Sequence, residues 1–145
     1  YLDIAVVEII NDIITAATTP IVAGGCYWIT TDIKTTLILT SAYLFASLMF
    51  NGDLDIESRP YNRWSVLKFV WLPYQKMFHH RSIFTHGLII GTIIRVIYIS
   101  LIPVLLLLIT GNLVATLNLN PQLTFIVFMG LELGSAGHTI SDYLS

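Results

Sequence analysis

Residues 79–86 read His-His-Arg-Ser-Ile-Phe-Thr-His and hold three of the four histidines in a chain of 145 residues. Imidazoles gathered in one short stretch beside an apolar run are suited to binding a metal or moving protons. Other groups of the same chemistry stand far away in the chain. Asp53-Leu54-Asp55 offers two carboxylates, and His138 and Asp142 lie at i and i+4, on one face of a helix, where they can grip one ion. Each piece alone is ordinary. Asp-x-Asp recurs in turns, His138 and Asp142 serve equally well as a hydrogen-bonded or capping pair, and His86 fits an interfacial position with Thr85 as a helix cap. Together, Asp53, Asp55, His80, His86, His138 and Asp142 form a set of nitrogen and carboxylate donors without sulfur. That set favours a divalent zinc, manganese or iron over copper(I) or an iron–sulfur cluster. The donors outnumber the needs of one tetrahedral ion. Two metals fit, and so does one metal with Asp53 or Asp55 left as a general base. Arg81, beside the histidines, either holds an anionic oxygen such as phosphate or anchors the chain on its positive side. His79 is expected to face solvent.

The elements that must carry these groups are read from composition. The chain is 55% hydrophobic and 11% charged, against about 25% charged in soluble domains, so lipid is the expected solvent and the expected partner. A net charge of −2 gives no support to nucleic-acid binding. The single cysteine, Cys26, excludes an internal disulfide and any Cys-rich zinc module, and its apolar setting marks a buried, inert thiol. The chain opens on Tyr1, which points to processing or to a longer natural chain. No basic run followed by an apolar stretch and a small-residue cleavage site is present, so no signal peptide is expected.

Charge-free or nearly charge-free stretches predict four membrane spans in one domain, at about 13–30, 35–50, 83–110 and 123–144. The expected fold is therefore an all-α integral membrane bundle. Pro20 and Gly24-Gly25 weaken the first span, Lys34 must snorkel for the second to reach across, and 111–121 reads as an outer loop. Between spans two and three, residues 51–82 carry Arg59, Arg63, Lys68, Lys76 and Arg81, five of the seven basic residues. Trp64, Phe69, Trp71, Tyr74 and Phe78 lie between them. Aromatics interleaved with bases predict a segment lying in the headgroup layer, with one interfacial helix bracketed by Pro60 and Pro73.

Positive charge in short loops marks the cytoplasmic side, so 51–82 is placed there. Span one then exits, span two returns, span three exits and span four returns. This order brings Asn11 and Asp12, Asp53 and Asp55, His80 and His86, and His138 and Asp142 to the same membrane face. Glu132 and Arg95 lie roughly 14 Å deeper at about 1.5 Å per residue, which predicts that they pair. The helical wheel turns Arg95 away from His86, so span three either becomes regular only after His86 or presents Arg95 to another helix.

The residues Asn51–Trp64, Trp71–Gly87, Gly91–Tyr98 and Gly130–Asp142 together resemble a family of small, uncharacterised metal-binding membrane proteins. That family is in turn related to the LexA-regulated, membrane-bound metal-dependent hydrolases. The resemblance covers roughly residues 10–145 and implies ligand roles for Asp53, Asp55, His80, His86, His138 and Asp142. Relatives commonly carry Thr-His-Asp before the first helix, where Ile10-Asn11-Asp12 stands here, and Pro and Ser where Gly52 and Gly87 stand. Two functions follow as expectations. One is a metal-dependent hydrolase of a phosphoester at the cytoplasmic headgroup layer, in a bacterial inner membrane or an organelle membrane of bacterial descent. Its machinery would be Asp53, Asp55 and Arg81. The other is a non-catalytic accessory subunit of a larger membrane complex, with a structural or vestigial metal. Transport ranks below both, since no internal repeat is present.

Overall fold

A computed structural model describes residues 4–80, 82–110 and 120–144, with side chains placed within 6–140 of that set. Among the described residues the chain is helical, with no strand. Among the described residues seven α-helices follow one another: α1 (Ile4–Thr30), α2 (Ile33–Met49), α3 (Arg59–Arg63), α4 (Leu72–Met77), α5 (Ile83–His86), α6 (Ile90–Thr110) and α7 (Pro121–Leu144). Two 3-10 turns, Gly52–Asp55 and Ser65–Trp71, complete the central segment. Three stretches, Val6–Thr30, Ile90–Thr110 and Pro121–Ile140, are long and apolar enough to cross a membrane, and α2 is a shorter apolar helix of 17 residues.

α1 begins well before the expected boundary at 13. The polar residues expected to precede the span are helical and have partners: Asp12 meets Arg59 (3.2 Å) and Arg63 (2.7 Å), and Glu8 accepts the Arg59 N–H (2.7 Å). Asp32 ends the short link after α1 and caps α2, accepting from the amides of Lys34 and Thr35. α2 and α7 pack backbone to backbone. A Cβ at Gly130 would strike the Leu39 carbonyl and the Ala42 side chain, and one at Gly134 would strike the Tyr43 carbonyl and Ala46. Glycine one turn apart on α7 is thus what lets α2 lie so close. α1 closes on α2 through Thr18 and Tyr43, whose hydroxyls share a hydrogen bond.

The central segment corrects the expectation of a strap with a single helix. Pro60 and Pro73 each sit in the first turn of a separate short helix, where a missing N–H costs nothing. Ser65, at φ 49°, breaks the chain between them. Trp71 and Tyr74, expected at the headgroups, are fully buried and form the core with Phe50, Leu54 and Tyr61. Trp71 stacks on Tyr98 and meets Phe50, Trp64 and Tyr74 edge-on. The outward face of the same segment, with Val66, Leu67, Phe69 and Met77, is exposed and apolar. The segment is therefore both the core under the polar end of the helices and a greasy outer surface.

The third expected span, 83–110, comes in two parts. Between α5 and α6, Ile89 adopts φ 64°, a left-handed conformation that a β-branched side chain resists. Its N–H is held by Glu132 Oε1 at 2.8 Å. This break rotates α6, so that Arg95 turns inward and is 1% exposed. It also overturns the expected Arg95–Glu132 pair. Glu132 is engaged by the Ile89 amide, while Arg95 donates to the Thr85 carbonyl (2.6 Å), Thr92 and Ser135. The expected outer loop falls mostly on residues 111–119, outside the described ones.

Candidate metal centre

Asp53 and Asp55 are set by the 3-10 turn that follows α2. Asn51 fastens the turn at one end, its amide donating to the Ser47 carbonyl (3.0 Å) and its oxygen accepting from the Asp53 amide (3.2 Å). Ser58 Oγ donates to the Asp53 carbonyl (2.7 Å), and Gln75 Nε2 donates to the carbonyls of Leu54 (3.2 Å) and Ile56 (3.1 Å). A turn with its backbone tied at both ends holds its two carboxylates with little freedom. His86 reaches them from α5, and a Cβ at position 52 would lie 2.9 Å from its imidazole. Glycine there leaves room for the ring.

Two groups result. In the first, Asp53 Oδ1 lies 3.3 Å from His86 Nε2 and Asp53 Oδ2 lies 3.0 Å from His138 Nε2. In the second, Asp55 Oδ1 lies 2.8 Å from His80 Nδ1 and Asp55 Oδ2 lies 3.8 Å from His86 Nδ1. In each, one ligand atom per residue falls within 4.8 Å of the others, a spread that a single cation can draw together. His86 belongs to both. Asp53, Asp55, His86 and His138 are buried, whereas His80 is 39% exposed. His79 is exposed. Arg81 lies outside the described residues, as does the side chain of Asp142, although its backbone belongs to α7.

Electrostatics agree with a cation-binding role. Burial by itself would raise the Asp53 carboxyl, but hydrogen bonds from His138 and His86 outweigh it and hold the group well below its ordinary range. Burial pushes the phenol of Tyr74, beside Arg95 and Asp55, up to about 12, so it stays neutral. The test of fit is Asp55 Oδ2. It is buried, on a side chain with 0% exposure, and has no hydrogen-bond partner. A buried carboxylate oxygen left so is costly, and a cation among these donors would satisfy it. The residues fit a divalent ion.

Several residues that are not ligand types support the centre, and of them only Asn11 was expected at this end of the helices. Thr85 Oγ1 is 3.0 Å from His86 Nδ1, and Asn11 Nδ2 is 2.9 Å from His138 Nδ1. Arg95 ties the Thr85 backbone to Ser135, one turn before His138. Thr85 had a signal, since it adjoins a ligand-type residue, but only as a cap. Asn51 also had one, as a turn-forming residue just before Asp-x-Asp.

Comparison with known proteins bears on the same residues. An uncharacterized protein of Aquifex aeolicus (strain VF5) is 38% identical over 58 residues, which are 39% of this chain and 40% of that relative. The chain thus covers less than half the length of this relative. No solved structure matches it. The family model described as uncharacterized metal-binding protein (DUF2227) matches residues 9–145, nearly the whole chain and every residue of both groups. The chain belongs to that family of metal-binding proteins.

Proposed function

We propose that this chain is an integral membrane protein with four crossing helices, and that its metal centre hydrolyses a phosphoester of lipid headgroups at the cytoplasmic face. The observation that carries the reading is the convergence of buried carboxylates and imidazoles at one end of the apolar helices, with Asp55 Oδ2 lacking a hydrogen bond. Asp53, His86 and His138, with Asp55 and His80 beside them, are the residues to hold zinc, manganese or iron. Asp142 is one helical turn beyond His138 and joins them in this reading. A bound ion of this class supplies a water acidic enough to ionise near neutral pH and a positive charge for the phosphoryl oxygens. The chain's own share would be to exclude bulk water from the buried donors and to hold a carboxylate, Asp53 or Asp55, as the proton acceptor. Arg81 neutralises the phosphate. The exposed apolar face of 65–77 holds the centre against the bilayer.

A second reading has its own observation. Asn11, where the resemblance implies a histidine, hydrogen-bonds His138 instead of adding a ligand. On that reading the metal staples four chain segments inside a larger membrane complex. Elemental analysis of the purified protein, followed by phosphodiesterase and phosphomonoesterase assays with and without chelator, separates the two. Metal-dependent turnover supports the hydrolase. Bound metal with no turnover on either substrate class overturns it in favour of the staple.

A further inference from the structure

The two donor groups share His86 but use it from opposite sides. Nε2 faces Asp53 at 3.3 Å, in the group completed by His138, and Nδ1 faces Asp55 Oδ2 at 3.8 Å, in the group completed by His80. The lone pairs of the two nitrogens of one imidazole diverge, so one ion cannot be bound through both. Nor can the second group be dismissed as spare hydrogen bonding. Asp55 gives one oxygen to His80 at 2.8 Å, while its other oxygen is buried toward His86 without a hydrogen-bond donor. His80 and His86 meet edge to face with centroids 5.2 Å apart, and each presents Nδ1 to Asp55, His80 at 2.8 Å and His86 at 3.8 Å. Thr85 Oγ1 now lies 3.0 Å from Nδ1, and its hydroxyl has a second partner, the Ser82 carbonyl at 3.2 Å, to which it can turn.

Resting on the metal-centre reading above, we infer that the chain binds two divalent cations, one on Asp53, His138 and His86 Nε2 and the other on Asp55, His80 and His86 Nδ1. Loading both makes His86 an imidazolate, the one N–H proton of the neutral ring passing to solvent. The two sites differ in access. The Asp53–His138 site is buried on every side chain, while the Asp55–His80 site opens to solvent through the exposed imidazole of His80. The outer ion therefore exchanges faster and is the first removed by a chelator.

The test is metal stoichiometry on the full chain in detergent, by equilibrium dialysis against zinc(II) and elemental analysis, with no assay of turnover. Wild type is expected to bind two ions per chain. His80→Ala, at a position 39% exposed, should bind one. His138→Ala should also bind one, and His86→Ala should lose both high-affinity sites. Helicity by circular dichroism checks each variant. Replacing zinc by manganese(II) gives a second readout, since two neighbouring ions broaden the paramagnetic resonance signal and His80→Ala sharpens it. One ion in wild type, unchanged in His80→Ala, overturns the two-site inference and leaves a single-metal centre standing. No ion in wild type overturns both.

Discussion

The side-chain amide of Asn11 lies 2.9 Å from Nδ1 of His138, across 127 positions of sequence. With Nε2 of His138 directed at Asp53, Nδ1 is the remaining nitrogen, and an amide can serve it with either end by rotating. An imidazole that gives one nitrogen to a cation keeps its proton on the other, where a fixed acceptor holds the ring. Asn11 takes that orienting role here, from the N-terminal half of α1. Asn11→Ala should weaken metal binding about 10- to 100-fold with no loss of helicity, measured by competition with a chromophoric chelator. Asn11→His should keep or raise the affinity. An unchanged affinity in Asn11→Ala would show that α1 plays no part in the centre.

Beneath the ligands, Arg95 performs a comparable service for backbone rather than ring. Its guanidinium reaches the Thr85 carbonyl at 2.6 Å and Ser135 Oγ on α7, so one planar fork joins the elements that carry His86 and His138. Phe50 lies 5.8 Å from the same guanidinium carbon. Lysine has a single ammonium and cannot span both acceptors. Arg95→Lys should lower stability by about 2–3 kcal/mol, the scale of a lost charge-assisted hydrogen bond. It should also reduce metal affinity, and cobalt(II) spectra should change shape, which general loosening of α6 would not produce. A variant that is less stable but has wild-type cobalt spectra would restrict Arg95 to a structural role.

The contrast between these two residues marks what the sequence could disclose. Ligand types and membrane-scale apolar runs were legible because charge is too costly in an apolar chain to be scattered, so each polar residue carried information. The expectation that Asp53, Asp55, His80, His86 and His138 gather rests on a crossing order read from charge, and the structure places ligand atoms of these five residues near one another in two groups. The packing of the 51–82 segment was not legible. Trp71 and Tyr74 have the composition of an interfacial belt, and only their contacts with Phe50, Leu54 and Tyr98 make them core. The failed Arg95–Glu132 pair has a similar cause. Equal depth holds only for one continuous helix, and the left-handed Ile89 turns the helix after the break. No local sequence signal announces a β-branched residue with positive φ, because the cost is met by a distant partner, Glu132.

The metal-free protein should show an acid limb governed by Asp53. Its carboxyl titrates below the ordinary value of 3.8 in the folded state, through hydrogen bonds from His138 and His86 that exceed the opposing effect of burial. A depressed carboxylate stabilises the fold at pH above 3.8 and loses that contribution as pH falls toward the folded value. In thermal melts of chelator-treated protein, wild type should therefore exceed Asp53→Asn at pH 5 to 7, in roughly the range where carboxylates are ionised. The gap should close as pH drops below 3.8. A gap that widens on acidification would contradict the assignment of these histidines as the partners that hold Asp53 ionised.

Topology offers a test independent of metal. The proposed crossing order puts the link between α1 and α2 on one side of the membrane and the basic segment on the other, because five of the seven basic residues lie in 51–82. Cys26 is the sole cysteine, so Cys26→Ser gives a clean background. Thr31 and Glu57 are exposed, one in that link and one after the Asp53–Asp55 turn. In this background, Thr31→Cys should react with a membrane-impermeant maleimide on intact cells and Glu57→Cys only in inverted vesicles. α2 has 17 residues, about 26 Å at 1.5 Å per residue, against a hydrocarbon core of about 30 Å. Its crossing is the most demanding and is the one this pair reports. Labelling of both positions from the same side would mean that α2 does not cross, and the centre would then lie on the face where α1 and α2 are joined.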